Sequence, residues 1–189
     1  MDALMIVLVV MLVAQIGGRL GDFTMRLAER TGRPTQVVGG VMLAQALLCA
    51  LAIRLGIMLA ARFTPEMHGL LLAIALMLVG FGMMGRPRRA ASYGGFSRLG
   101  VTGTAAIGAG VILLADLSVM VVMAAAARSP LPWAALPGAL AGTLGAILPP
   151  LTLGEREWRR LPLRAMRIAI GSVLILAGLV IGLSTKGLI

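Results

Sequence analysis

Histidine, cysteine and tyrosine each occur once in this chain, and only 7 acidic residues stand against 17 basic ones. A single histidine leaves most hydrolase schemes without their general base. No Ser/His/Asp arrangement, phosphate-binding glycine loop or zinc-protease motif is present. We therefore expect no enzyme, and no motif calls for a cofactor. The lone Cys49 excludes an intramolecular disulfide and a cysteine-based zinc cluster. His68, with Glu66 near it, lacks the further ligands that a metal site needs. Charge itself is scarce, at 13% of residues.

What is present is apolar. Of the 189 residues 59% are hydrophobic, and the mean hydropathy is +1.00. Runs of about 20 apolar residues recur, the length that crosses a hydrocarbon core of about 30 Å. The expectation is an all-α membrane protein of six transmembrane helices, whose first partner is the lipid bilayer. Met1-Asp2-Ala3 lacks the basic region of a signal peptide, so the first apolar run reads as a retained span.

Span 1 covers about Ala3 to Gly21 and can continue as helix to Arg30; span 2 covers about Val37 to Ala60. Thr64-Pro65-Glu66 supplies an N-cap, a first-turn proline and a first-turn acid ahead of span 3, about Met67 to Met84. Spans 4, 5 and 6 cover about Val101 to Ala127, Leu131 to Leu153, and Met166 to Leu183. Pro149-Pro150 should bend or end span 5. Trp133 and Trp158 fall at expected interfaces and read as anchors.

The net charge of +10 and a pI near 11.8 could suggest nucleic acid, but the placement of the cations speaks for topology. With the N-terminus outside, the inner connections hold Arg26, Arg30, Arg33, Arg86, Arg88, Arg89, Arg98, Arg156, Arg159, Arg160, Arg164 and Arg167. The outer side holds Arg62, Arg128 and Lys186. The positive-inside rule then puts both termini outside a bacterial inner membrane, with a basic inner rim suited to anionic lipid. No nucleic-acid partner is expected.

A shift of 98 residues aligns Pro34 with Pro132, Gly40 with Gly138, Gly56 with Gly154 and Gly80 with Gly178. This divides the chain into repeat one (1–85, spans 1–3), a basic linker (86–100) and repeat two (101–189, spans 4–6). Three spans per repeat give two inverted three-helix repeats, a transporter plan with its site near the midplane. Gly17-x-x-x-Gly21, Gly138-x-x-x-Gly142 and Gly178-x-x-x-Gly182 permit close helix approach.

Two places break the apolar pattern. Gly17-Gly18-Arg19-Leu20-Gly21-Asp22-Phe23-Thr24 ends the first run, and Asp116-Leu117-Ser118 lies inside a later one. A charge at mid-bilayer costs about 2.5–3.5 kcal/mol on insertion scales, so such residues face protein or water and mark a site. A gap of four residues lets Asp22-Phe23-Thr24 fall on Asp116-Leu117-Ser118. Gln15 adds a polar group one turn earlier.

These motifs resemble those of the GDT-type cation/proton exchangers, which include bacterial manganese exporters and Golgi calcium/manganese transporters. In that family each three-helix repeat opens with Glu-x-Gly-Asp-(Lys/Arg)-(Thr/Ser). Leu20-Gly21-Asp22-Phe23-Thr24 matches the x-Gly-Asp-x-Thr part, and Leu114-Ala115-Asp116-Leu117-Ser118 keeps the Asp and the hydroxyl. Arg33-Pro34 before Gly39-Gly40, and Leu76-Met77-Leu78-Val79-Gly80-Phe81-Gly82 in span 3, are also similar.

The resemblance implies transport of a divalent cation, manganese or calcium, in exchange for protons. Asp22 and Asp116 would be the metal carboxylates and Thr24 and Ser118 would add oxygens. The family glutamate is replaced by Arg19 in repeat one and by Leu113 in repeat two; its basic position is Phe23 and Leu117. Arg19 is expected to act as a built-in counter-ion to Asp22 or Asp116, altering ion binding. Two further classes stay open: a non-transporting membrane protein that keeps the fold, and an exporter of a small organic solute.

Overall fold

The computed structural model describes residues 2–85, 100–158 and 160–185. The linker at 86–99, with Arg86, Arg88, Arg89 and Arg98, lies outside them, as do Arg159 and Lys186. The described residues are helical throughout, joined by short turns. In chain order the helices are α1 (Asp2–Gln15), α2 (Arg19–Thr31), α3 (Pro34–Ala60), α4 (Pro65–Met84), α5 (Gly100–Leu114), α6 (Ser118–Arg128), α7 (Ala135–Trp158) and α8 (Leu163–Thr185). A 3₁₀ turn at Pro132–Ala134 leads into α7.

Four segments are individually long and apolar enough to cross a membrane: Pro34–Ala60, Glu66–Met84, Pro132–Gly154 and Leu163–Thr185. The first and fourth expected spans are each broken into a pair of shorter helices. α1 and α2 meet at 66°, and α5 and α6 at 74°. If each bent pair counts as one span the total is six. At 1.5 Å per residue, α1 reaches about 21 Å and α5 about 22 Å, short of a hydrocarbon core of about 30 Å.

The breaks have local causes. Gly17 takes φ +64°, in the left-handed region that suits glycine, and Gly18 then adopts an extended conformation as the cap of α2. In the second break Asp116 replaces lost helix bonds, its Oδ1 accepting from the Ser118 N–H at 3.1 Å. Thr64 precedes α4 as expected but makes no side-chain cap bond. Helix α7 runs on through Pro149 and Pro150 and breaks at Gly154, where φ is +75°. The expected bend therefore comes four residues late: the prolines delete bonds, while Gly154 alone has the left-handed freedom to turn the chain. Trp158 is buried rather than anchored at a surface.

Glycines set the helix crossings. A Cβ on Gly40 of α3 would collide with the Thr102 carbonyl of α5, and a Cβ on Gly138 of α7 with the Leu4 carbonyl of α1. On α4, a Gly80 Cβ would lie 2.6 Å from the Gly171 carbonyl of α8, and a Gly178 Cβ 2.7 Å from the Ala73 carbonyl. These contacts are reciprocal at a spacing of 98: Gly40 and Gly138, Leu4 and Thr102, Gly80 and Gly178, Ala73 and Gly171. The extensive α1–α7 packing has its counterpart in α3–α5, and α4 lies along α8. The clearest departure from this pattern involves α4 and α8. α4 packs along α6, whereas α8 and α2 scarcely touch.

Candidate functional site

The two breaks open onto one cavity of about 250 Å³. Ala14, Gln15, Gly18, Arg19 and Leu20 line it from the first break, and Ile112, Ala115, Asp116 and Leu117 from the second. Val79, Gly82, Met83 and Gly85 of the α4 end and Arg167 from the first turns of α8 complete the wall. The cavity therefore sits where α4 ends and α8 begins, in the space left between α8 and α2.

Among the site residues read from the sequence, the structure brings Gln15, Arg19 and Asp116 onto this wall. Asp22 and Thr24 are not on it. Asp22 stands in the first turn of α2, whereas Asp116 stands in the break itself. The four-residue gap that aligned the two acids thus pairs unlike places: the glycine contacts keep a spacing of 98, which puts Asp116 opposite Gly18. Thr24 is buried and its hydroxyl donates to the Leu20 carbonyl at 2.6 Å, within its own helix. Ser118 lies directly behind the wall, fully buried, with no partner for Oγ among the described residues.

The sequence places Arg167 with the inner rim and gives it no part in a site; the structure puts it on the cavity wall. Its signal was its position one residue inside the expected start of span 6. One Nη of Arg167 donates to the Gly17 carbonyl at 3.1 Å, tying α8 to the first break. Its Nε is buried with no hydrogen-bond partner among the described residues. Asp116, Arg19 and Asp22 all lie within electrostatic reach of its guanidinium. Arg19 therefore lies within electrostatic reach of a like charge, Arg167.

Gln15 is buried, 3% exposed. Its Nε2 reaches the Met11 sulfur at 3.5 Å, a weak acceptor, and Oε1 has no partner among the described residues. An amide buried with its strong acceptor unused costs free energy unless something else occupies that side. Phe23, at the position where the resembling family carries a cation, is buried with its ring against Gly108 of α5.

Among the described residues no three His, Cys, Asp or Glu side chains converge as a metal site. Outside the cavity, Gln45 and Thr143, 98 residues apart, are fully buried polar residues on α3 and α7. The Gln45 Nε2 contacts the Cys49 sulfur at 3.2 Å. A smaller hollow of about 180 Å³ lies at the opposite end of the molecule, lined by Ala3, Ile6, Leu72, Ala125, Arg128, Ser129 and Pro130.

Searches against family models, curated proteins and solved structures gave no match.

Proposed function

We propose that this protein is a six-span inner-membrane transporter of two inverted three-helix repeats that moves a small organic solute through the cavity at its two helix breaks. The observation that carries the reading is the meeting of both breaks, one from each half of the chain, at one cavity bearing charged side chains. Broken helices whose half-helix ends face a central site are a recurrent way to bind solute within a bilayer. Irregular backbone at membrane depth is tolerated where it lines such a cavity.

The reciprocal glycine contacts support the two-repeat plan. The charge distribution supports six spans over four. Were the bent pairs re-entrant, the connection bearing Arg156, Arg160 and Arg164 would lie on the opposite side from that bearing Arg26, Arg30 and Arg33, against the positive-inside rule. With six spans those connections share the inner side, the cavity opens inward, and both termini lie outside.

The cavity and the opposite hollow share the α1–α4–α6 wall. On α4, Leu72 lines the hollow and Val79 the cavity, about 10 Å apart along the helix. On α1 the separation from Ile6 to Ala14, and on α6 from Leu117 to Ala125, is about 12 Å. Val10, Leu76 and Val121 fill this interval within one apolar cluster. The reading assigns them as the closed outer gate of an inward-facing state.

Divalent cation exchange, the activity that the resemblance implies, has weaker support. Hard divalent cations require several oxygen ligands, and here Asp116 shares its wall with two arginines. Asp116 is the carboxylate on that wall.

Uptake of radiolabelled L-alanine, L-lactate and Mn²⁺ into proteoliposomes tests the reading. The expected result is saturable uptake of an organic solute, reduced at least about tenfold by Asp116→Asn, the scale of a lost charged contact. Strong Mn²⁺ uptake dependent on Asp116 would return the cation reading. Vesicles as impermeable to all three as protein-free vesicles would favour the non-transporting alternative.

A further inference from the structure

We infer that the cavity recognises a carboxylate group, held between Arg167 and the exposed N-terminal end of α2. The inference rests on the transporter reading for its physiological meaning and on the cavity alone for its chemistry.

Three observations converge on it. Arg167 spends one Nη on the Gly17 carbonyl, which fixes the side chain, while its buried Nε has no partner among the described residues. A guanidinium presents its donors in a planar fork that suits two carboxylate oxygens. This fork is anchored at one corner and keeps an unpaired Nε, which is buried in this conformation and meets a ligand oxygen only when the guanidinium turns toward the cavity.

The second observation is the start of α2. Gly18 caps that helix without a side chain, and no side-chain bond caps the helix. Gly18, Arg19 and Leu20 all line the cavity. The first peptide N–H groups of a helix and its dipole attract an anion. Arg19 adds a second cation on the same wall.

Gln15 is the third and independent observation. It is 3% exposed, lines the cavity, and leaves Oε1 without a partner among the described residues. Oε1 is buried in this conformation; turned toward the cavity, it can accept from a hydroxyl or ammonium group on the ligand. With the amide turned over it donates to the carboxylate instead. Either orientation completes a polar site opposite the guanidinium. Two of the three charged side chains on the wall, Arg19 and Arg167, are cations, while Asp22 lies off the wall though within electrostatic reach of Arg167. A cavity of about 250 Å³ falls below the roughly 300–1,000 Å³ usual for drug-sized ligands, so the ligand is small.

Two sources carry this chemistry: a simple monocarboxylate, and an amino acid whose ammonium would face Asp116. The full chain in lipid nanodiscs, titrated calorimetrically with propionate, L-alanine and inorganic phosphate, distinguishes them. Saturable binding of propionate or L-alanine is expected, weakened about tenfold or more by Arg167→Gln and less by Arg19→Gln. L-Alanine affinity that falls in Asp116→Asn supports the amino-acid arm. Propionate affinity that rises in the same variant supports the monocarboxylate arm.

Because Arg167 also holds the first break, Arg167→Gln can disturb folding. Arg167→Lys, which keeps the charge and the reach but loses the fork, and Arg19→Gln then carry the test. Arg167→Lys is expected to weaken carboxylate binding while preserving thermal stability. No saturable binding of either carboxylate overturns the inference, as does phosphate binding as tight as theirs, or equal affinities in wild type and these variants. Such a failure alongside saturable, Asp116-dependent uptake of radiolabelled ethanolamine, a small solute without a carboxylate, would overturn the ligand class and leave the transporter reading intact. Carboxylate binding without any uptake would do the reverse.

Discussion

A methyl group on Gly138 would strike the Leu4 carbonyl, and one on Gly40 the Thr102 carbonyl. The neighbouring Gly39 has open space around its missing Cβ. This gives a matched comparison within one helix. Gly40→Ala should destabilise the protein by about 1–3 kcal/mol, the usual cost of overpacking. Gly39→Ala should be neutral or stabilising by up to about 1 kcal/mol, since alanine is the better helix former. Thermal unfolding in detergent checks both, and equal midpoints would remove the close-approach role from Gly40. The Gly138 and Gly178 spacings were legible in the sequence because small residues at four-residue intervals have one main use between membrane helices. Arg167 was not, because a cation at a span end ordinarily reaches for headgroups, and only the fold shows Gly17 waiting for it.

Among elements, the broken spans are the largest departure from the expected architecture. Hydropathy averaged over about 20 residues passes over a three-residue interruption, so the first and fourth spans read as continuous. The polar residues at each interruption were visible, but the bends of 66° and 74° come from local backbone choices, the left-handed Gly17 and the Asp116 bond to the Ser118 N–H, which a window average does not register. The same limit explains the misaligned acids. A gap placed to match Asp22 with Asp116 fits composition, whereas the close contacts of Gly40 and Gly138 and of Gly80 and Gly178 hold a spacing of 98.

The proposed gate makes a prediction at this scale. Cys49 is fully buried, so single-cysteine reporters should have little background. Leu76→Cys should react with a membrane-impermeant thiol reagent applied outside at least about tenfold faster when transported solute is present, by exposing a minor outward-facing state. Labelling unaffected by solute would show that this cluster is packing alone.

For the whole molecule, the two span counts give opposite answers at one accessible point. Six spans place the C-terminus outside; four spans with two re-entrant pairs, and with the connection after α2 inside, place it inside. A reporter active only outside, fused to the C-terminus, should be active here. Inactivity would reject the six-span reading. All-helical class and a membrane setting were legible from composition and run length. Span count was less so, because α2 carries Arg26, Glu29 and Arg30 and only the chain geometry joins it to α1.

The unequal pairing of α4 with α6 and of α8 with α2 has a consequence for motion. If the two halves are equivalent units inserted in opposite senses, each half can adopt the geometry now held by the other. Exchanging them closes α8 onto α2 and lifts α4 from α6, sealing the present cavity mouth and enlarging the hollow beside Arg128. The second conformation then requires no new contacts in kind, only a trade of existing ones between halves. The two forms would be near-degenerate because each is built from the same stock of interfaces. The residual difference in energy would come from the places where the halves disagree in sequence, Arg19 against Leu117 foremost among them.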